Sequence, residues 1–172
     1  MLKKIPFKDS KQIFARFALS DEANTCVDPN CAPETNLEIL YKEQFLNDLV
    51  NFFAYSFPPR EGICWAIAVH QKMYNEQFPS SEVLKISQSW VQNPDEAIRR
   101  KLMLLSEDID SGDPMHWLCN AVAWNGSGSI GPLDGPIVLP PENLYSAALM
   151  GSVALLLSDE KNALENLLNI VF

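Results

Sequence analysis

Residues 144–157 read Leu-Tyr-Ser-Ala-Ala-Leu-Met-Gly-Ser-Val-Ala-Leu-Leu-Leu, and this apolar stretch decides the fold. A helix formed by it is apolar almost all round, which is typical of a helix with neighbours on every side. The stretch is shorter than the roughly 20 residues that span a bilayer, and Ser146 and Ser152 interrupt it. It therefore predicts a helix at the centre of a bundle and argues against membrane insertion.

The rest of the chain predicts helices that pack around this one, because its apolar residues recur every three or four positions. The predicted helices span residues 10–19, 37–55, 60–75, 81–91, 94–109, 114–124, 142–157 and 158–171. Residues 20–36 and 125–141 lack this period and predict loops, the second one long and rich in glycine and proline. The sequence thus predicts an all-α fold in one domain, residues 1–172, with about seven or eight helices.

Capping residues and prolines mark several of the predicted helix starts. Asn93-Pro94, followed by Glu96, has the pattern of a capping box, so Asn93 is expected to accept from first-turn N–H groups. Asp113-Pro114 repeats the arrangement, because proline fits the first helical turn. Asp9 is available as the cap of the first helix.

The charges argue against nucleic acid as a partner. The chain of 172 residues carries 13 basic and 22 acidic side chains, a formal net charge of -9, which a phosphate backbone repels. A basic cluster near the start is interpreted as a solvated face, with a partner or membrane-surface contact as the alternative; it comprises Lys3, Lys4, Lys8, Lys11 and Arg16. No secretory signal is recognisable, so a cytoplasmic location is expected.

The cysteines and histidines do not form a recognisable motif. Cys26 and Cys31 have the spacing of half a zinc site, but Cys64 and Cys119 lack close partners, so four free thiols are favoured over zinc or a disulfide. A nucleophilic Cys64 or Cys119 paired in space with His70 or His116 stays open as an alternative. The sequence predicts no cofactor, no metal and no catalytic residue.

Gly126, Gly128 and Gly131 reproduce the G-x-G-x-x-G spacing of a dinucleotide-binding turn. That turn works between a strand and a helix, whereas here a predicted helix precedes the glycines and Pro132 follows them. We interpret the glycines as the end of a helix followed by a loop that crosses the bundle.

Seven charged or aromatic residues are candidates for an interaction surface or a structural network: Arg60, Glu61, Trp65, Arg99, Arg100, Trp117 and Trp124. In one interpretation, arginine–carboxylate pairs lock neighbouring helices together. In the other, arginine and tryptophan anchor a partner, since both are enriched at binding hot spots.

Several segments together resemble a family of small bacterial proteins of unknown function. They are Pro58-Pro-Arg-Glu-Gly-Ile-Cys-Trp-Ala66, Pro94-Asp-Glu-Ala-Ile-Arg-Arg100, Pro114-Met-His-Trp117, Trp124-Asn-Gly-Ser-Gly-Ser-Ile-Gly-Pro132 and Pro140-Pro141. The resemblance covers about residues 58–157, and the 20–36 segment departs from the pattern. Some members of that family are similar in setting to accessory genes of type VI secretion clusters. The resemblance implies a setting but supplies no catalytic residue.

These observations predict a non-enzymatic, cytoplasmic accessory or adaptor protein that binds another protein, with a possible link to type VI secretion. The alternative is an enzyme or small-ligand binder, with a pocket between the 125–141 loop and the helices that carry Arg60, Trp65 and Trp117. Homo-oligomerisation is a third hypothesis, through aromatic side chains expected to be exposed: Phe52, Phe53 and Phe57.

Overall fold

The computed structural model describes residues 2–74, 81–125, 128–132 and 134–158, together with Leu167. Across these residues all regular structure is helical and no strand occurs, which confirms the all-α prediction. Within the described residues, a 3-10 helix, Leu2–Lys4, precedes nine α-helices: α1 (Lys11–Phe14), α2 (Asp21–Cys26), α3 (Pro33–Lys42), α4 (Leu46–Ser56), α5 (Pro59–Tyr74), α6 (Glu82–Gln92), α7 (Glu96–Glu107), α8 (Pro114–Ala123) and α9 (Leu144–Leu157). The helix predicted over 158–171 lies outside the described residues, apart from Leu167, which is helical and buried.

Helix α9 lies at the centre of the bundle, as its sequence predicts. It packs against α4, α5 and α8, and its buried residues include Ala148, Leu149, Ser152 and Val153. Gly151 lets α8 approach closely, because a Cβ at this position would lie 3.3 Å from the indole of Trp117. The helix begins two residues later than predicted, after Asn143, whose φ of 62° is left-handed.

Aromatic side chains of α4, of its C-cap residue Phe57 and of α5 form a packed cluster beside α9. Phe53 lies between Phe57 and Trp65, with ring centroids 6.0 and 5.5 Å away. Phe52, Phe53 and Phe57 are 0%, 0% and 1% exposed. The hypothesis that these three phenylalanines mediate homo-oligomerisation is therefore wrong, because the core already buries them.

The prediction of a loop over 20–36 is wrong, since the segment contains α2 and the start of α3. Ser20 is the N-cap of α2: its hydroxyl accepts from the Ala23 N–H at 3.2 Å and donates to Asp48 of α4 at 2.7 Å. Asp48 also accepts from the Ser20 N–H at 2.9 Å and is 5% exposed. The polar residues that suggested a loop therefore cap a short helix and anchor it to α4.

The connection between α2 and α3, which carries Cys31, is fixed by a buried asparagine. The side chain of Asn36 donates to the Asp28 carbonyl at 2.7 Å and to the Ser10 hydroxyl at 2.9 Å, and accepts from the Asp28 N–H at 3.0 Å. Ser10 in turn donates its N–H to the carbonyl of Cys31 at 3.0 Å. Asn36 thus joins this connection to the start of α1, which ends at Phe14 rather than at residue 19.

The helix predicted over 37–55 is two helices, because the chain breaks at Gln44. Gln44 has a left-handed φ of 60°, and its N–H donates to the Tyr41 carbonyl at 3.0 Å. The Phe45 N–H donates to the Leu40 carbonyl at 2.9 Å. This pair of bonds is a Schellman motif, which usually places glycine where Gln44 stands, so the sequence carries no signal for it.

The start of α7 differs from the predicted capping box. Its N-cap is Asp95, whose carboxylate accepts from the N–H groups of Ala97 and Ile98 at 2.8 and 3.2 Å. Asn93 is the C-cap of α6, so its predicted role is wrong. The predicted cap of α8 is confirmed, since Asp113 accepts from the Met115 N–H at 2.8 Å.

Candidate interaction site

Arg99 projects from α7 into a buried position, where its guanidinium joins three parts of the molecule. Its side chain is 4% exposed. Nε and Nη2 donate to the two carboxylate oxygens of Glu96 at 2.7 and 2.6 Å. Nη1 donates to the carbonyl of Ala123, the last residue of α8, and Nη2 also donates to the Ser129 carbonyl at 2.8 Å. Arg99 thereby connects α7, the C-terminus of α8 and the loop that follows.

Arg100 extends this network along the loop. Its Nε donates to Glu96 at 3.1 Å, and its Nη1 donates to the Gly131 carbonyl at 2.8 Å. Glu96, Arg99 and Arg100 form one unit, called here the arginine clamp. Hydrogen bonds from Arg99, and then its charge and the bonds from Arg100, hold the pKa of Glu96 below its usual range. Cations beside the last carbonyls of α8 are also favoured by the helix dipole.

The arginine clamp accounts for the presence of glycine at position 128, so no bound nucleotide is needed to explain it. A Cβ on Gly128 would lie 2.5 Å from Nε of Arg99, so only glycine allows the backbone to lie on the guanidinium. A phosphate site needs backbone N–H groups that point at the ligand. The described part of the loop instead presents the carbonyls of Ser129 and Gly131 to cations, and the Gly131 N–H is bound by the Ser129 hydroxyl at 3.1 Å. Gly126 lies outside the described residues.

Beyond the clamp, the loop folds back on itself and exposes three consecutive apolar side chains. The Ile130 N–H donates to the Val138 carbonyl at 2.8 Å, and the Val138 N–H donates to the Ser129 hydroxyl at 3.0 Å. Ile137, Val138 and Leu139 are 82%, 45% and 59% exposed. We call residues 137–139 the apolar edge. It is absent from the candidates predicted from sequence, although the run Ile-Val-Leu between Pro136 and Pro140 was a readable signal.

Arg60 lies at a second junction, between α5 and α6. Its Nε donates to the Val91 carbonyl, and its Nη2 donates to the Gln92 carbonyl at 3.0 Å. The expected arginine–carboxylate pair between helices is therefore wrong for Arg60, whose partners are the last carbonyls of α6. Neighbouring Glu61 is half-buried and makes no hydrogen bond or ion pair with the described residues.

The three candidate tryptophans occupy different environments. Trp65 is fully buried and belongs to the aromatic cluster beside α9. Trp117 and Trp124 are half-buried, with ring centroids 6.3 Å apart, and Trp117 Nε1 donates to the Ser111 carbonyl at 2.8 Å. Of the three, only Trp117 and Trp124 retain surface for a partner.

His70, Ser152 and Pro114 form a polar chain that links α5, α9 and α8. The Ser152 hydroxyl donates to the Pro114 carbonyl at 2.9 Å. The Ser152 hydroxyl has a single proton, which the Pro114 carbonyl already accepts. Its oxygen must therefore be the acceptor in the 2.8 Å hydrogen bond with His70 Nε2. Burial lowers the pKa of His70 to about 4. His70 is thus a neutral donor at pH 7, and this arrangement does not make Ser152 a nucleophile.

The cysteines and His116 show no catalytic pairing within the described residues. All four thiols are free, as favoured from the sequence. Burial, with a contribution from Asp113, raises the pKa of Cys119 to about 12, so this thiol is not ionised at neutral pH. His116 Nδ1 donates to the Ser106 and Ile109 carbonyls at 2.9 and 3.0 Å, and its Nε2 accepts from Asn120 at 3.0 Å.

The described residues contain neither a candidate metal site nor a membrane-spanning helix. They contain no group of three or more His, Cys, Asp or Glu side chains placed to hold a metal ion. None of their helices has the length and apolar character to cross a membrane.

Comparison with known proteins gives a single result. Neither the curated proteins nor the solved structures include a match to this chain. A family model described as "Family of unknown function (DUF6931)" matches residues 36–171, a range that includes the arginine clamp, the apolar edge and α9. The chain therefore belongs to this family of unknown function.

Proposed function

We propose that the protein is a non-enzymatic accessory or adaptor protein that binds another protein through the apolar edge. The observation that carries the proposal is the exposure of three consecutive apolar side chains, Ile137, Val138 and Leu139. Exposed contiguous apolar surface is typical of a protein-binding site. A cytoplasmic location, which the sequence predicts independently of any resemblance, also belongs to the proposal, and a link to type VI secretion belongs to it on the strength of the sequence resemblance alone.

The arginine clamp supports the proposal because it fixes the loop that carries the apolar edge. Three loop or helix-end carbonyls receive guanidinium hydrogen bonds, and two further bonds join residues 129–130 to Val138. A binding segment held in one conformation loses little conformational entropy when a partner docks. Apolar surface that is both exposed and held by a buried charged network fits a preformed interaction site better than a flexible linker.

The test is to isolate partners from native lysate with the wild-type chain and with a variant carrying Ile137→Asp and Leu139→Asp. The matched control is Leu104→Asp on α7, because Leu104 is also apolar and 54% exposed. We expect the Leu104 variant to retain the partner and the double variant to lose it, with equal thermal unfolding for all three chains. The identity of the partner tests the secretion link. Retention of every partner by the double variant contradicts the proposal.

A small-ligand site under the loop is a second candidate, favoured by one observation. Asn125 follows α8 directly, is 5% exposed, and its side-chain Nδ2 is buried without a hydrogen-bond partner. An unsatisfied buried amide costs about 1–3 kcal/mol, which a ligand acceptor would recover. Thermal-shift screening of nucleotides and carboxylate metabolites against the wild type and Asn125→Leu tests this site. We expect stabilisation only in the wild type, since ligand at about 100 times its Kd adds about 2.7 kcal/mol; no stabilisation by any compound rejects the site.

A further inference from the structure

The apolar edge has an inner side, which is hydrogen-bonded, and an outer side, which is open. Both backbone groups of Val138 point inward, since its carbonyl accepts from Ile130 and its N–H donates to the Ser129 hydroxyl. The Pro136 carbonyl faces inward as well, because a Cβ on Gly131 would lie 2.9 Å from it. In an extended chain, successive residues direct their backbone groups to opposite sides. The backbone groups of Ile137 and Leu139 therefore point outward, and neither residue makes a backbone hydrogen bond to the described part of the chain.

The prolines on either side leave the outer side intact. Pro136 and Pro140 have no N–H, and proline in a strand usually blocks pairing for that reason. Both occupy even-numbered positions, like Val138, so the donors they lack belong to the inner side. The outer side keeps the N–H and carbonyl of Ile137 and of Leu139, which are the groups that an added strand needs.

The charges around the apolar edge indicate what kind of segment fits there. From Pro132 to Leu157 the charged side chains are Asp134 and Glu142, both exposed, and there is no lysine or arginine. Arg99 and Arg100, which contact this loop, already bind Glu96 and loop carbonyls. Complementary charge sets register and partner choice at an interface. A fitting segment is therefore apolar in its centre and basic at its ends.

A second copy of this chain does not meet that description. The same edge of another copy carries the same two carboxylates, and antiparallel pairing of 137 with 139 would place Asp134 opposite Glu142. Lys4–Lys8 is an apolar segment flanked by lysines, but its Ile5 and Phe7 pack against the chain's own core. These two observations favour a segment of a different protein as the occupant.

We infer that the outer side of the apolar edge binds an extended segment of another protein as an added β-strand, with alternating apolar residues between Lys or Arg ends. This inference rests on the proposed function and specifies its mode of binding. Main-chain hydrogen bonds to Ile137 and Leu139 supply the pairing, and Asp134 and Glu142 select the basic ends.

The test starts from a displayed library of random nine-residue peptides selected for binding to the full chain. We expect enriched peptides to have apolar residues at every second position and basic residues at their ends. Enrichment of peptides with apolar residues three or four apart, which is helical spacing, overturns the inference, and so do acidic ends or no enrichment. Light scattering that shows self-association lost in Ile137→Asp also overturns it, because the occupant is then a second copy.

A matched pair of variants then separates strand addition from simple apolar docking. Leu139→Ala and Leu139→Pro both remove the side chain, but only proline removes the outward N–H. We expect the enriched peptide to bind Leu139→Pro at least about tenfold more weakly than Leu139→Ala. Equal binding to the two variants overturns strand addition. The proposed function survives that result if the native partner still depends on Ile137 and Leu139, and fails separately if the partner does not.

Discussion

Two arginines in this protein each bind carbonyls at the end of a helix, one in a buried position and the other in an exposed one. Arg99 binds the last carbonyl of α8, and Arg60 binds the last carbonyls of α6. Arg99 is 3% exposed and has a carboxylate, Glu96, on two of its donors. Arg60 is exposed and binds carbonyls alone. The difference shows that a buried cation needs a complete set of acceptors, whereas an exposed one can leave the remainder to water.

The surroundings also explain which arginine organises the loop. The acceptors of Arg60 belong to a helix end that is already formed by its own packing. Two of the carbonyls bound by the clamp, those of Ser129 and Gly131, belong to a loop without regular structure. Burial of Arg99 is therefore coupled to the conformation of the loop.

Arg99→Met should lower the free energy of unfolding by about 3 kcal/mol. The substitution leaves the carbonyls of Ala123 and Ser129 without their donor, and hydrogen bonds to charged groups contribute roughly 1.5–3 kcal/mol each. Urea denaturation measures the loss, and amide exchange should rise at residues 128–131. A loss below about 1 kcal/mol would show that burial does not distinguish Arg99 from Arg60.

His70 tests the complementary case, a buried group whose charged form is disfavoured by burial. Its pKa is lowered from 6.5 to about 4 in the folded chain, so between these values the unfolded state binds a proton that the folded state does not. The free energy of unfolding should therefore fall as the pH falls from about 6.5 to about 4, by roughly 3 kcal/mol, and level off below. At pH 7 this contribution is fully present.

The measurement is urea denaturation of the wild type and His70→Gln at pH 7 and pH 4. Glutamine keeps a donor for Ser152 but does not titrate in this range, and the contributions of all other groups cancel in the comparison. The variant should lose about 3 kcal/mol less than the wild type on acidification. Equal pH dependence of the two chains would mean that the pKa of His70 is the same in the folded and unfolded states.

Gly128→Ala should lower the free energy of unfolding by about 2 kcal/mol, because the added methyl group must displace the Arg99 guanidinium or the loop. The control is Gly135→Ala in the same loop, where the added Cβ would lie 3.3 Å from its nearest neighbour, a ring carbon of Pro132. In the Arg99→Met background the effect of Gly128→Ala should shrink, since the two sites are coupled. Purely additive effects on the free energy of unfolding would show that Gly128 and Arg99 are not energetically coupled.

Arg60→Met should have the smallest effect, below about 1 kcal/mol, because water can replace the exposed guanidinium at the carbonyls of Val91 and Gln92. The same urea measurement applies, and amide exchange at residues 128–131 should not change. A loss as large as that of Arg99→Met would show that the exposed arginine stabilises the fold as much as the buried one does.

The features that the sequence predicts well are those set by local pattern. The apolar circumference of Leu144–Leu157 predicts the central helix, and Asp113-Pro114 predicts the start of α8, because both depend on residues within one or two turns. Asn93 and Asp95 are both good caps two positions apart, and the choice between them is set by packing. The break at Gln44 depends on a left-handed residue for which glutamine is no signal.

The candidate site was predictable in its residues but not in its connections. Arg99, Arg100 and Gly128 all attract attention in the sequence, yet their contact joins positions about thirty residues apart and has no periodic signature. Trp65, a candidate for an interaction surface or a structural network, is core, since a tryptophan on an amphipathic helix looks the same in either role. The apolar edge has a plain signal, Ile137-Val-Leu139 in a loop, which indicates a segment able to be extended but too short for a sheet; its exposure is not visible in a sequence.

The central position of α9 has a consequence for folding during synthesis. Its partners α4, α5 and α8 all precede it in the chain, so the ribosome produces three helices with apolar faces before the helix that covers them. The aromatic cluster of α4 and α5 can assemble early, but the face that meets Leu149 and Val153 must wait for residues 144–157 to emerge. A nascent chain paused before this point exposes unpaired apolar surface, which makes it a substrate for chaperones. Rare codons or stalling in that interval should therefore lower the yield of folded protein more than stalling after residue 157.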